Sequence, residues 1–217
     1  MLASLFVDTF RFIGDNPGLL LTKAAETAEL AFTALGIGLV IALPIGLWLG
    51  HRHRGLSVAL GVSTFGRALP SVVLIGLGIA ILGVGFWNNA VALVVLAVPP
   101  LLTNSYVAVE GADRDAVEAG RGMGLTEPQI LARVELPLGL PFILAGIRIA
   151  AVFVIATATL AGIFGGGGLG DVMARPVTYG LAGVLAAALG VAALALLTAA
   201  ALGIAQRAAY RRMAPRA

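Results

Sequence analysis

Few side chains in this sequence are of the types that do covalent or metal chemistry. There is no cysteine, so thiolate nucleophiles and thiolate metal ligands are excluded. The two histidines, His51 and His53, flank an arginine, and two imidazoles at this spacing without a third ligand make a poor metal site. They fit a solvated basic loop better. The only lysine, Lys23, lies in Thr-Lys-Ala, so the chain lacks the glycine-rich loop ending in lysine that binds ATP phosphates.

Two glycine patterns near residue 168 resemble enzyme motifs, and both lack the context that the chemistry needs. Residues 168–171 read Gly-Leu-Gly-Asp, which matches the GxGD pattern of intramembrane aspartyl proteases. That reaction needs a second carboxylate at the same site, and every other aspartate lies outside the apolar stretches. Residues 165–170 match a dinucleotide fingerprint, but they follow an apolar stretch of helical length rather than a strand.

The elements that carry these residues belong in a lipid bilayer. Of the 217 residues, 59% are hydrophobic and only 12% are charged, about half the charge of a soluble domain. The mean hydropathy is +1.01. We therefore expect an all-α membrane protein and exclude a soluble enzyme, a disordered chain and a nucleic-acid-binding domain. The net charge is only +3, and the high pI reflects arginine-rich ends.

Charge-free stretches predict about five transmembrane helices. Residues 30–50 carry no charge over 21 positions, which is about 32 Å of helix against a bilayer core of about 30 Å. The second span contains Arg67 and Pro70, so we expect a kink or a break there. The predicted spans are 28–50, 57–83, 89–109, 139–164 and 180–205.

Arginine placement predicts the orientation. If the N-terminus is outside, the segments 51–56, 110–137 and 207–217 are cytoplasmic, and they hold nine arginines, whereas the outer segments hold three Lys or Arg residues. This excess favours N-out and C-in. The sequence then divides into an N-terminal interfacial segment (1–26), a transmembrane domain (27–206) and a basic cytoplasmic tail (207–217).

The segment 110–137 is the one sizeable loop, and its sequence predicts two short helices meeting at a glycine corner. Asp113 is a good N-cap for a helix running to about Met123, and Gly124 is a good stop. Thr126-x-x-Gln129 is typical of a capping box. We expect the second helix to end before Pro137. It would present Ile130, Leu131 and Val134 on one face.

This loop resembles the EAA loop of ABC-importer permeases. The family pattern reads Glu-Ala-Ala, three residues, Gly, nine residues, Ile-x-Leu-Pro. Here Gly120 replaces an alanine and Val134 replaces the isoleucine. The five matching positions are Glu118, Ala119, Gly124, Leu136 and Pro137, and together with Gly120 and Val134 they would form the ATPase-coupling loop.

Further stretches resemble the permeases of osmoprotectant importers, which carry glycine betaine, carnitine or choline. They are Arg-Ala-Leu-Pro-Ser at 67–71, Leu-Ala-Gly-Ile-Arg at 144–148, Ala-Thr-Ala-Thr-Leu-Ala at 156–161 and Gly-Gly-Leu-Gly-Asp at 167–171. The resemblance covers about residues 25–205. It implies the five-helix permease core of the type I importer class.

The resemblance also implies the function and the partners. The chain would be a non-enzymatic permease subunit of the bacterial plasma (inner) membrane. The EAA loop would dock on a cytoplasmic ATPase dimer, which binds the ATP and Mg²⁺. A second permease copy or a sister permease, and an extracytoplasmic substrate-binding protein, would complete the importer. Alternatives are a permease for an amino acid such as methionine, an intramembrane protease and a passive channel.

Six residues are candidates for the pathway or a gate: Arg67, Pro70, Thr157, Thr159, Gly167 and Gly168. All of them except Pro70 have a simpler interpretation. Arg67 would lie near the cytoplasmic surface if the second span starts later. The threonine hydroxyls would bond to carbonyls of their own helix, and the glycines would simply stop a helix. Gly46-x-x-x-Gly50 predicts close helix packing, within one subunit or between two.

Overall fold

The computed structural model describes residues 2–53, 55, 57, 61, 64, 66 and 68–213. This part of the chain is helical and contains no strand. The helices are α1 (Leu2–Asp15), α2 (Pro17–His51), α3 (Ser71–Leu82), α4 (Phe86–Glu110), α5 (Arg114–Gly122), α6 (Glu127–Ile130), α7 (Leu136–Ala161), α8 (Gly168–Met173) and α9 (Pro176–Met213). A short π-helical turn precedes α7 (Leu131–Glu135), and a kinked turn with non-helical backbone at Phe164 and Gly165 follows it (Gly162–Gly166). α9 is also kinked, at Gly180, whose φ is 66° and ψ is 174°.

Four helical stretches among the described residues are long and apolar enough to cross a membrane. They are Pro17–His51, Phe86–Glu110, Glu127–Gly166 and Pro176–Arg211, with lengths of 35, 25, 40 and 36 residues. An all-α membrane protein is therefore confirmed. The predicted second span, 57–83, lies partly outside the described residues. Within this predicted span, α3 has 12 residues. That is about 18 Å of helix, which is too short to cross the bilayer by itself. The count of five and the orientation stay predictions.

The first long helix begins earlier than the predicted first span. α2 starts at Pro17 rather than at residue 28. Proline suits the first helical position because its missing N–H has no helical acceptor there and its φ is preset. The predicted interfacial segment thus comprises α1, which exposes Phe6 and Phe10, and the first part of α2. The division into segments at 26 and 206 stays a prediction.

Two compact units can be distinguished, and the first consists of Met1–Gly36, Leu69–Leu96 and Ala151–Thr198. Its core holds Leu169 and Val172 of α8 together with Ala187 of α9. Phe12 of α1 meets Tyr179 of α9 edge to face, with ring centroids 6.5 Å apart. The apolar side of the short helix α8 is therefore packed against α2 and α9.

The second unit consists of Ile37–Ala68, Ala97–Ala150 and Ala199–Ala217. Here Gly46 and Gly50 bring α2 against α4. A Cβ at Gly46 would lie 2.8 Å from the Leu102 carbonyl oxygen, and a Cβ at Gly50 would lie 2.6 Å from that of Tyr106. These glycines therefore pack within this chain, which supports the first of the two interpretations of the Gly-x-x-x-Gly pair.

Candidate functional site

The first arm of the 110–137 loop has the predicted caps. The Asp113 Oδ1 accepts hydrogen bonds from the backbone N–H groups of Asp115 (2.9 Å) and Ala116 (3.3 Å), so it caps α5. At the other end Gly124 has φ of +81°. The Gly124 N–H donates to the Arg121 carbonyl and the Leu125 N–H to the Gly120 carbonyl, the bond pair that ends a helix at a left-handed residue. Both the helix start and the glycine corner are confirmed.

The second arm starts as predicted but does not end before Pro137. A capping box at Thr126 opens α6, with the Thr126 N–H donating to the Gln129 Oε1 at 2.9 Å. The helix then continues through a π turn into α7, with no break. The expected end before Pro137 is wrong because the π turn lets the helix pass the proline. Pro137 has no N–H to donate. In the turn just before it, the Leu136 N–H donates to the Leu131 carbonyl, five residues back, which widens that turn and adjusts the hydrogen bonding ahead of the proline.

The residues of the EAA pattern divide between the surface and the interior of this hairpin, which we define as residues 113–137. Glu118 and Ala119 are exposed on α5, and Gly124 and Pro137 are exposed as well. Gly120 is buried, and a Cβ there would lie 3.5 Å from the Val134 Cγ2. Val134 and Leu136 are half-buried beside Ile130, which is fully buried. The hairpin thus has an apolar seam and an exposed acidic edge.

Glu118 also borders a cavity of about 340 Å³. Glu110, Arg114 and Glu135 line the same cavity. A basic or hydrogen-bond-donating side chain of a partner would meet the exposed Glu110 and Glu118 here, whereas Glu135 is buried. Arg121 also lines the cavity. The structure contains no partner, so docking at this position stays a prediction.

A charged network, which the sequence analysis missed, joins the hairpin to the end of α2. Arg121 holds Glu127 with two hydrogen bonds of 3.2 and 3.3 Å. The His51 Nδ1 lies 2.6 Å from the Glu135 Oε2, and the His51 Nε2 lies 3.3 Å from the Glu127 Oε2. The sequence suggested that His51 lies in a solvated loop, whereas the structure places it in this network. His53 is exposed.

No local signal could have found this network. His51 and Glu135 are 84 residues apart, and neither capping nor periodicity links such distant positions. A glutamate in the middle of an apolar helix face is the one hint, because a buried carboxylate needs a partner. Within the described residues, no group of three or more His, Cys, Asp or Glu side chains is arranged to hold a metal ion.

Side chains of α2 hold the glycine-rich segment that was predicted as a gate. Gly167 and Gly168 have φ near +72° and +73°, a region open to glycine at no steric cost. The Gly168 N–H donates to the Glu26 Oε2 at 2.7 Å, and the Leu169 N–H donates to the Thr27 Oγ1 at 2.9 Å. The segment is therefore more than a helix stop, since it is fastened to another helix.

The aspartate of the Gly-Leu-Gly-Asp motif is ion-paired. The Asp171 Oδ1 lies 2.8 Å from the Arg175 Nη2, and the Asp171 Oδ2 lies 3.6 Å from the Lys23 Nζ. Lys23 also pairs with Glu26 at 2.9 Å. Opposite charges surround this carboxylate, whereas an aspartyl protease needs a second aspartate beside the first.

The remaining pathway candidates are Arg67, Pro70, Thr157 and Thr159, and the backbone carbonyl of Thr159 lies directly against Gly170. The hydroxyls of Thr157 and Thr159 donate to the carbonyls of Phe153 and Ala156 in their own helix, as the simpler interpretation holds. Pro70 is exposed and precedes α3 as its N-cap residue. Arg67 lies outside the described residues. A role of these four residues in a pathway stays a prediction.

Comparison with known proteins identifies the family. The chain is 37% identical over 160 residues to the glycine betaine/carnitine/choline transport system permease protein OpuCB of Bacillus subtilis, covering 74% of each chain. It is 37% identical over 161 residues to the choline transport system permease protein OpuBB of the same species, again covering 74% of each.

A solved structure shares the fold. In inward-facing conformations of the MetNI methionine ABC transporter, one chain superposes with a TM-score of 0.76 at 24% identity, covering 89% of this chain and 98% of that one. Residues 31–217 match the family described as binding-protein-dependent transport system inner membrane component. The chain belongs to this family of inner membrane transport components.

Proposed function

We propose that this chain is the permease subunit of an ATP-driven importer that carries a small osmoprotectant, such as glycine betaine, choline or carnitine, into the cell. The observation that carries this proposal is the 37% identity to two permeases with those names, over three quarters of the chain. The four long apolar helices and the membership of an inner membrane family agree with a membrane subunit.

The hairpin supports an import mechanism driven by another chain. It is held rigidly by its caps and by the apolar seam at Gly120, and α7 continues it without a break. A short exposed helix such as α5 suits docking in a groove of a cytoplasmic ATPase. The ATP and Mg²⁺ would be bound there, and ATP-driven closure of two ATPase subunits would move the hairpin. Glu118 and Ala119 would form the contact.

The other partners follow from the same proposal. Aromatic residues make up 6% of the chain, and an aromatic cage for a quaternary ammonium needs several on one site. High-affinity selection would therefore belong to an extracytoplasmic binding protein. A second copy of the permease, or a sister chain, would form the other wall of the pathway.

A methionine importer is the second candidate, because the solved structure with the same fold is a methionine transporter. At 24% identity that likeness shows the fold alone. The 37% identity to osmoprotectant permeases therefore favours the osmoprotectant.

Uptake of labelled glycine betaine, choline, carnitine and methionine tests the proposal. The cells should lack other carriers for these compounds, and strains with and without this chain are compared at high and low osmolarity. We expect uptake of at least one quaternary amine to depend on the chain. Dependence of methionine uptake alone would overturn the substrate class and leave an importer.

A further inference from the structure

His51 is the last residue of α2, and both nitrogens of its ring face carboxylates of the hairpin. The Nδ1 is 2.6 Å from Glu135 and the Nε2 is 3.3 Å from Glu127. Only 11% of the His51 side chain and 2% of the Glu135 side chain are exposed. One imidazole thus connects the end of a long apolar helix to both ends of the hairpin's second arm.

The π turn places the two carboxylates on the same face. Glu127 and Glu135 are eight residues apart, so at about 100° per residue a regular α-helix would separate them by about 80° around its axis. The π turn at Leu131–Glu135 takes up one extra residue, which reduces the separation to about 20°. The turn that lets the helix pass Pro137 also lets a single histidine reach both glutamates.

The two contacts differ in strength because they differ in burial. The Glu135 carboxyl group is removed from water, so separating it from His51 would leave a buried polar group without its hydrogen-bond partner, which is unfavourable. Glu127 is 56% exposed and shared with Arg121, and an exposed pair of this kind contributes little. The contact between His51 and Glu135 is therefore the one that resists displacement.

We infer that His51 is a positioning residue that transmits movement of the hairpin to α2 through its buried contact with Glu135. The inference rests on the proposed function, in which an ATPase moves the hairpin. Since the contact is short and buried, the hairpin and the end of α2 would move together through the transport cycle.

The first test needs no knowledge of the substrate. Because the chain has no cysteine, single cysteines at the exposed positions Asp115 and Val40 accept spin labels that report the distance between the hairpin and α2. In the importer purified with its ATPase, we expect this distance to be the same with and without a non-hydrolysable ATP analogue. In His51→Gln it should shift or broaden on adding the nucleotide. A nucleotide-dependent shift in the unmodified background, or its absence in His51→Gln, would overturn the inference.

The second test measures coupling in liposomes containing the complete importer and its binding protein. His51→Gln and Glu135→Gln should each lower the glycine betaine or choline carried per ATP hydrolysed by about fivefold or more. The double variant should be no worse than either single one, since both remove the same contact. His53→Gln, an exposed histidine two residues away, is the matched control and should keep the ratio. An unchanged ratio in His51→Gln would contradict the inference.

A rescue separates transmission from a merely structural effect. In His51→Cys/Glu135→Cys the ratio should fall, and a short, reducible bifunctional thiol reagent spanning the two positions should restore it until reductant is added. Failure of the cross-linked protein to recover would overturn the inference. If the unmodified importer carries none of the quaternary amines, the proposed function fails instead, and the spin-label distances still decide the role of His51.

Discussion

Glu118 is exposed on α5, at the first position of the pattern that the loop shares with ABC-importer permeases. We predict that Glu118→Lys leaves the protein in the membrane but uncouples it from the ATPase, because the reversed charge would repel a basic or donor group on the partner. Asp115→Lys makes the same change three residues earlier on the same exposed face. It should cost only about 0.3–1 kcal/mol of helix stability, through the helix dipole. Copurification of the ATPase and uptake are measured for both variants, and normal uptake by Glu118→Lys would refute the docking role.

Gly120 occupies the position where the EAA pattern has alanine, and the structure shows that alanine would fit. A Cβ there would make ordinary contacts of 3.4–3.9 Å with Leu125, Val134 and Ile130. We predict that Gly120→Ala raises the Tm of the purified protein, because alanine is favoured over glycine within a helix by about 1 kcal/mol. Gly124→Ala should lower the Tm instead, since φ of +81° strains any side chain by about 1–2 kcal/mol. A lower Tm for Gly120→Ala would mean that the seam cannot accept a methyl group.

At the scale of helices, the sequence predicted those parts of the hairpin whose conformation depends on residues at most five positions away. The cap at Asp113, the glycine corner at Gly124 and the capping box at Thr126 each depend on near neighbours in the chain. The continuity of the second arm with α7 was not predicted, because a proline usually ends a helix and no local sequence pattern indicates a π turn. The contact of His51 with Glu135 was missed because it depends on how α2 and the hairpin pack.

The next prediction concerns the contact by which α2 holds the glycine-rich segment at the start of α8. The buried Thr27 Oγ1 accepts the Leu169 N–H, so Thr27→Val would leave that donor without its acceptor at a cost of about 1–3 kcal/mol. We predict that the Leu169 amide then exchanges its hydrogen faster by about tenfold or more. Thr9→Val is the control, because the equally buried Thr9 hydroxyl bonds only within its own helix. Equal exchange at Leu169 in Thr27→Val and the unmodified protein would show that the segment is held by other contacts.

For the whole molecule, the class could be predicted from composition and the family from one spaced pattern, whereas the number of spans could not be fixed. Low charge and long apolar runs suffice for an all-α membrane protein, because lipid leaves the backbone few other ways to satisfy its hydrogen bonds. Helix ends are less certain, since a helix can continue past the bilayer through polar residues, as α2 does through Lys23, Glu26 and Glu29. α2 illustrates this, with 35 residues where about 20 would span.

Labelling from the two sides of the membrane tests the predicted orientation and the odd number of spans together. The chain has no cysteine, so cysteines placed singly at the exposed residues Asp8, Val84, Asp115 and Arg211 give a clean background. A membrane-impermeant maleimide applied to intact cells should label positions 8 and 84, and should reach 115 and 211 only after permeabilisation. The physical reason is the excess of Lys and Arg, nine in the predicted cytoplasmic segments against three in the outer ones. Opposite sides for 84 and 115 are expected in any case, since α4 alone, at 25 residues, covers about 38 Å. The decisive pair is therefore 8 and 211, because labelling of both from the same side would mean an even number of spans. Labelling of 211 alone from outside would keep an odd number of spans but reverse the orientation, which would move the hairpin away from any cytoplasmic ATPase.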